Sequence, residues 1–468
     1  MCPAPASAAP AWAKLPQVQP HAAGLDIGSC EIVACVPADR DPEPIRTFGT
    51  FTPDLQRLVR WLQGCRIETV AMESTGTYWV PIYELLEEAG IRPCLVNARH
   101  LKNVPGRKTD VSDAQWIQTL HSYGLLRASF IPAEDWRQVR TLWRQRQDLV
   151  RHRAAHIQHM QKALQGMNVQ LTQVLADISG VTGLAIIRAI VAGERDSQVL
   201  ARLRDKRCRH SQEEIAQALT GHYRPAEVFV LGQALGLYDT YTAQIAACDA
   251  ELERQYQAMA PADDTPREPL GPRPNKNTHA KNAPAVDVRG ACYRLTGVDL
   301  VAVPGLDDST VQTILAEIGT DMTPWPTAKH FCSWLHLAPR NEITGGRVKR
   351  SRTAEGANRA GQALRLAAQS VMRADCAFGA HYRRLAPRIG REQALVATAH
   401  KIARTVYSLL KHRTPYVEMG ADEYDRRFRD RTLRRVTRIA KDMGYRLVPD
   451  EQPQQTTEQP EVARAPSF

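Results

Sequence analysis

The sequence predicts an α/β domain with a partly parallel sheet at the N-terminal end, then long helices, then a second, mostly helical unit. Three observations carry this. Short β-type runs alternate with helical spacings from Ala22 to about Tyr123. From Glu134 onward apolar residues recur at a 3/4 spacing instead of alternating. Between Pro261 and Pro284 six prolines stand among Asp, Lys, Asn and Thr, a stretch with no packable face.

The elements follow in order. Gly24–Ile27 and Ile32–Val36 read as strands flanking a break at Gly28-Ser29, and Ile45–Phe51 as a third strand. Asp54–Gln63 reads as a short helix, Glu68–Glu73 as a strand, and Tyr78–Ala89 as a helix stopped by Gly90. Pro93–Val96 is a further strand, and Thr109 can cap a helix running through Asp113 to about Tyr123. Residues Trp136, Val139, Trp143, Val150, Ile157, Met160, Leu164, Met167 and Leu171 form one seam, interrupted by Arg146 and Arg153. Such a seam belongs either to a coiled-coil-like helix that mediates association or to a helix packed inside its own domain. Helices continue over Ser211–Leu219 and Ala226–Gln255, and a second folded unit begins near Cys292. The expected boundaries are a flexible lead-in at 1–20, a metal-binding α/β unit at 21–130 and a helical region at 131–260. A Pro-rich linker at 261–290, a C-terminal domain at 291–420 and a partly disordered extension at 421–468 complete the chain.

Composition narrows the function. The chain has 468 residues, 43% of them hydrophobic and 24% charged, with a formal net charge of +11. That balance points to a polyanionic partner, because each Lys or Arg placed beside a phosphate releases condensed counterions. The ten cysteines contain no C-x-x-C pair, which excludes zinc-knuckle spacing and leaves reduced thiols in a cytosolic setting as the expectation. No run of 18 apolar residues exists, so no membrane span is expected. Met1–Pro20 lacks the uninterrupted apolar core of a secretory signal.

Four acids stand out. Asp26 in Gly24-Leu25-Asp26-Ile27-Gly28 and Glu73 in Val70-Ala71-Met72-Glu73-Ser74 each end an apolar strand-like run followed by small residues. A carboxylate there sits at a sheet edge where open backbone admits a phosphate. Asp110 and Asp113 lie three apart, on one face of the expected helix. Clustered carboxylates repel unless hard cations neutralise them, and oxygen ligands suit Mg²⁺ or Mn²⁺. A pair of such ions can stabilise both the entering and the leaving oxygen of a phosphoryl transfer. Taken singly, each acid has an ordinary reading: Asp110 and Asp113 as first-turn residues, Asp26 as a turn residue, Glu73 as a surface strand end.

A second constellation lies at Thr344-Gly345-Gly346-Arg347-Val348-Lys349-Arg350-Ser351-Arg352. Two glycines let the backbone approach a phosphate closely, and Arg347, Lys349, Arg350 and Arg352 supply charge. A solvated basic loop is the alternative. Gly305 in Pro304-Gly305-Leu306 reads equally as a backbone grip on DNA and as a plain inter-helix turn. His152, His156 and His159 share one helix face, more in keeping with a polar face than with a metal cluster.

The order Gly-Leu-Asp-Ile-Gly, Met-Glu-Ser-Thr-Gly and Lys-Thr-Asp-x-x-Asp-Ala, around Asp26, Glu73, Lys108, Asp110 and Asp113, resembles the RuvC-like domain of DEDD transposases. These form the insertion sequence 110 family, understood as bridge-RNA-guided recombinases. The resemblance continues in Val303-Pro304-Gly305-Leu306, in Trp334–Arg340, in Ile343-Thr344-Gly345-Gly346 and in Asn358-Arg359 with its following helix, covering roughly residues 22–125 and 300–415. It implies a ribonuclease H-like (RuvC-like) N-terminal domain whose metal ligands are Asp26, Glu73, Asp110 and Asp113. It also implies a C-terminal transposase domain that supplies a hydroxyl nucleophile. DNA at element ends and target, a noncoding guide RNA and dimers pairing into tetramers would be the partners, in a cytoplasmic, nucleoid-associated setting. The family's serine position holds Thr344 here, with Ser351 a nearby alternative hydroxyl. Lys108, Gly345, Gly346, Arg347, Lys349, Arg350 and Arg352 would contact nucleic acid. Two rival functions stand beside this one: a Holliday-junction-type metal nuclease using water, and an inactive RNA/DNA-binding remnant.

Overall fold

The computed structural model describes residues 16–74, 76–97, 113–259, 261, 269–273, 281–353, 356 and 358–448. Two compact units divide it, Met1–Ile131 and Pro132–Phe468.

In the first unit five strands form one sheet: β1 (Ala22–Ile27), β2 (Glu31–Cys35), β3 (Ile45–Gly49), β4 (Thr69–Glu73) and β5 (Arg92–Val96). Their spatial order is β3-β2-β1-β4-β5. β1 pairs antiparallel with β2 and parallel with β4, and β4 pairs parallel with β5. The parallel connections run through helices, α1 (Thr52–Gly64) and α2 (Trp79–Glu88), as parallel pairing requires. Strand residues alternate between two faces. Ala23, Leu25, Ile27, Val70 and Met72 turn to the face covered by Leu55, Leu58 and Leu62 of α1 and Ile82 and Leu86 of α2. Ala71 and Val96 turn to the other face, against Trp116, Ile117 and Leu120 of α3 (Asp113–Ser122). The central strands are therefore apolar on both faces, which is why they read as continuous hydrophobic runs.

The second unit is built on two long helices, α4 (Glu134–Gly166, 33 residues) and α9 (Pro225–Ala258, 34 residues). They run antiparallel: Arg146 meets Asp249, Arg153 meets Thr242, and Gly166 lies against Glu227. The heptad seam expected on α4 is thus covered within the chain. Its N-terminal part also docks on α11 (Asp308–Ile318), where Trp143 Nε1 donates to Thr313 Oγ1 (3.0 Å) and Arg144 forks onto Glu317 (2.9 and 2.7 Å). Arg146, an apparent defect in the seam, is buried and satisfied. It grips both Asp249 oxygens (2.6 and 3.1 Å) and donates to the carbonyls of Asn282 and Ala283 (3.1 Å each). Between the long helices the short helices α5 (Leu171–Val174), α6 (Val181–Val191), α7 (Ser197–Ala201) and α8 (Gln212–Ala218) close a core of Met160, Leu164, Ile186, Ile190, Ile215 and Leu231.

The rest of this unit comprises α10 (Val288–Thr296), α11, α12 (Ala328–Trp334), α13 (Arg359–Ser370), α14 (Ala377–Ile389), α15 (Arg391–His412) and α16 (Ala421–Asp442). A two-stranded hairpin, β6 (Pro339–Thr344) and β7 (Arg347–Thr353), departs from these helices. The segment Thr344–Arg352, read as a phosphate site with a solvated basic loop as the alternative, is thus part of a β-ribbon. Gly305 has φ +89°, and a Cβ there would lie 2.6 Å from the Ala367 carbonyl oxygen and 2.8 Å from Val371 Cγ1. Close packing of the turn on α13 accounts for that glycine. The extension expected to be partly disordered begins with a 22-residue helix, α16. No helix among the described residues is long and apolar enough to cross a membrane.

Candidate metal centre and nucleic-acid hairpin

The parallel register of β1 and β4 pairs Gly24 with Ala71 and Leu25 with Met72. One residue further, the same register sets Asp26 beside Glu73 at the C-terminal ends of the two central strands. Because Leu25 and Met72 face α1 and α2, strand alternation turns Asp26 and Glu73 to the opposite face, which α3 covers. Both acids are half-buried.

The direction of α3 follows from its contacts. Ser122 O accepts from Val18 N and Gln19 N (2.9 Å each), and His121 Nε2 lies 2.9 Å from Thr69 Oγ1. Gln118 Nε2 donates to the Ala22 carbonyl (3.3 Å), and Ala114 lies over Gly24. The helix therefore runs antiparallel to β1, and Asp113 comes at the strand end that carries Asp26 and Glu73. Gly24 is what lets it lie so close: a Cβ there would stand 2.3 Å from both Ala114 O and Gln118 N. Thus Asp26, Glu73 and Asp113 belong to one end of one sheet face. Asp110 and Lys108 lie outside the described residues.

Burial shapes the far end of this face. Thr69 Oγ1 donates its one proton to the Arg92 carbonyl (3.0 Å), so His121 Nε2 must be the donor in its contact with Thr69. That puts a proton on Nε2, and burial decides that the ring is neutral. Burial, with a smaller contribution from the Arg92 charge, pushes the His121 pKa down to about 4.

Three carboxylates on one face present hard oxygen donors of the kind Mg²⁺ and Mn²⁺ take. Among the described residues no group of three or more His, Cys, Asp or Glu side chains closes into a metal cage. His152, His156 and His159 form an aromatic cluster: the His156 ring stacks on Tyr241 with centroids 5.3 Å apart, and His152 meets the same ring edge-on at 5.7 Å.

The hairpin carries the other predicted residues. Thr344 pairs with Arg347 across a turn of Gly345 (φ +57°) and Gly346 (φ +75°), a conformation that requires residues without Cβ strain. Pairing of Arg340 with Arg352 and of Glu342 with Arg350 puts these side chains and Thr344 on one face of the ribbon. Asn341, Ile343, Val348 and Ser351 occupy the other face. A register irregularity at Glu342/Ile343 leaves Lys349 as the extra residue of β7. Both strands are exposed almost throughout. The Ser351 hydroxyl donates to Asn341 Oδ1 (2.8 Å). Asn341 went unnoticed in the sequence because it is ten residues from Ser351 and meets it only through the strand pairing. The signal for that pairing was there: two glycines between Ile343-Thr344 and Arg347-Val348.

The family model described as "Transposase", of the DEDD type named for IS110, matches residues 23–169. That of the "Transposase IS116/IS110/IS902 family" matches residues 299–383. The "Insertion element IS110 uncharacterized 43.6 kDa protein" of Streptomyces coelicolor is 32% identical over 120 residues, 25% of this chain and 29% of that protein. The chain therefore spans under a third of the length of that relative. Two matched stretches, one holding Asp26, Glu73 and Asp113 and the other holding the Thr344 hairpin, agree with one another: the chain belongs to the IS110 family of transposases.

Proposed function

We propose that this protein cuts and rejoins DNA to move an insertion element, using acids of the first unit to hold metal ions and a hydroxyl of the second to attack phosphorus. The observation that carries the reading is the placement of Asp26 beside Glu73 at the ends of adjacent parallel strands, on the face covered by the helix that begins at Asp113. The strand order β3-β2-β1-β4-β5, with its first three strands antiparallel, supports the ribonuclease H-like assignment.

Asp26, Glu73 and Asp113, with Asp110, would hold Mg²⁺ or Mn²⁺, which when bound neutralises phosphate charge and polarises the phosphorus centre. Thr344 is the proposed nucleophile. Its hydroxyl forms an oxygen–phosphorus bond, loses its proton and displaces one DNA oxygen, which leaves as a hydroxyl. A DNA hydroxyl then attacks the phosphothreonine, and Thr344 regains its proton. Thr344 is preferred to Ser351 because it shares a ribbon face with Arg340, Arg347, Arg350 and Arg352, whereas the Ser351 hydroxyl is engaged by Asn341 on the other face. Gly345, Gly346, Lys349 and Lys108 complete the proposed phosphate contacts. Support for a noncoding guide RNA, for dimer and tetramer assembly and for a cytoplasmic, nucleoid-associated setting comes from the family resemblance.

The test is a denaturing gel of labelled element-end DNA incubated with the protein and Mg²⁺ or Mn²⁺. A protein–DNA adduct, retained in Ser351→Ala and in Thr344→Ser but absent from Thr344→Ala, is the expected outcome. Cleavage that leaves only free ends would replace this reading with a water-using nuclease. No cleavage under any metal would leave a binding protein.

A further inference from the structure

We propose that α16 is a DNA-binding arm whose basic face lies along the phosphate backbone of duplex DNA. The proposal rests on the transposase reading above, but on residues beyond both matched stretches, which end at residue 383.

The helix has two halves with different electrostatics. Its first turns are anchored and compensated. Glu423 pairs with Arg426 and Arg427, and Asp425 with Arg384 of α14. The Arg384 guanidinium sits 4.9 Å from the Tyr424 ring centroid and 3.7 Å from that of Phe428, while Lys401 of α15 lies 3.6 Å over Tyr424. Tyr424 and Phe428 therefore clamp the start of α16 to α14 and α15 through cation–π contacts.

Beyond this clamp positive charge predominates. Arg431, Arg434, Arg435, Arg438 and Lys441 follow, all five exposed, with Asp430 and Asp442 at the two ends of the run and no acid between them. At about 100° per residue they fall within an arc of about 120° and extend along about 15 Å of helix. Spacings of three and four place these like charges next to one another, which disfavours the helix on its own. A merely solvated helix gains by interleaving acids, as the first turns of α16 do. A ligand with a row of negative charges removes the repulsion and releases its own counterions.

The face fits duplex DNA better than other polyanions. The major groove of B-form DNA admits an α-helix, whose side chains then reach the phosphates of the groove walls, whereas the A-form RNA major groove is too narrow and deep to take one. The opposite stripe, Leu433, Val436, Ala440 and Met443, has heptad spacing but covers only about one and a half heptads, too few to hold two copies together by itself.

The experiment measures fluorescence anisotropy of a labelled duplex with the full chain and with a variant carrying Arg431→Gln, Arg434→Gln, Arg435→Gln and Arg438→Gln, across a salt series. Matched duplex RNA is run alongside. The replaced side chains are exposed, and circular dichroism checks that helix content is kept. Expected are a rise in Kd of at least about tenfold near 0.1 M salt and a fall of about 3 to 4 in the slope of log K against log salt. The corresponding Arg→Lys variant should recover most of both. An unchanged slope on DNA overturns the arm while leaving the transposase reading standing. So does a loss confined to RNA. A parent chain that binds no DNA overturns both.

Discussion

Substituting Gly24 by alanine tests whether the approach of α3 to β1 sets the proposed centre. The new Cβ would stand 2.3 Å from Ala114 O, 2.3 Å from Gln118 N and 2.9 Å from Gln118 Cα. All three are main-chain atoms of one helix, so no side-chain rotation relieves the clash. Carbon contacts settle near 3.5 Å, so α3 must lift by about 1 Å. Trp116, Ile117 and Leu120, which pack on Ala71 and Val96 beneath the same helix, lose contact with it. Overpacking of this kind costs about 1 to 3 kcal/mol, and the rigidity of the clashing backbone argues for the upper end. For a unit of this size about 3 kcal/mol lowers Tm by on the order of 10 °C. Differential scanning calorimetry with and without Mn²⁺ reads both effects: a lower Tm, and a smaller metal-induced rise because Asp113 moves with α3. A Gly24→Ala protein that melts within about 2 °C of the parent and keeps its metal response would refute the packing and the direction of α3 derived from it.

Other outcomes follow from the same geometry. Asp26→Asn and Glu73→Gln should each abolish Mn²⁺-induced thermal stabilisation while leaving the metal-free Tm near that of the parent; a metal response equal to the parent's would remove that acid from the centre. Arg146→Met should destabilise the second unit by about 3 to 5 kcal/mol in urea titration, because it leaves the 5%-exposed Asp249 as an uncompensated charge. Adding Asp249→Leu should recover part of that loss, and a double variant weaker than the single one contradicts the pairing. His121, 3% exposed and with its pKa pushed from 6.5 to about 4, resists protonation only when folded. Its contribution is full above pH 6.5, then falls as pH drops through that value towards 4, since the unfolded chain takes up the proton first. The loss totals up to about 3 kcal/mol. Replacing it by Gln should flatten Tm against pH between 7 and 4.5, and identical slopes would refute the assignment.

Much of the first unit was legible because each of its elements carries a local signal. Apolar runs ending in Asp26 and Glu73, turns at Gly28 and Gly90, and the 3.6 periodicity of α1 and α2 depend only on neighbouring residues. The seam of α4 was equally plain, since its spacing is local, but what fills it was not. Nothing near Arg146 announces Asp249, 103 residues away, and a seam for a second copy looks the same as a seam for α9. At the hairpin the Gly-Gly turn and its β-branched flanks were visible, yet only strand register separates Thr344, among the arginines, from Ser351, held by Asn341.

The sequence by itself determined which residue types are available: four acids at strand and helix ends, a Gly-Gly turn in a basic ribbon, and an excess of positive charge. Only the tertiary structure decided which of them share a face. Parallel pairing of β1 with β4 sets Asp26 beside Glu73, and the bare backbone of Gly24 lets α3 bring Asp113 to the same end. Periodicity is a property of the nearest few residues, whereas register and close approach arise from chain segments that meet only once the core has formed.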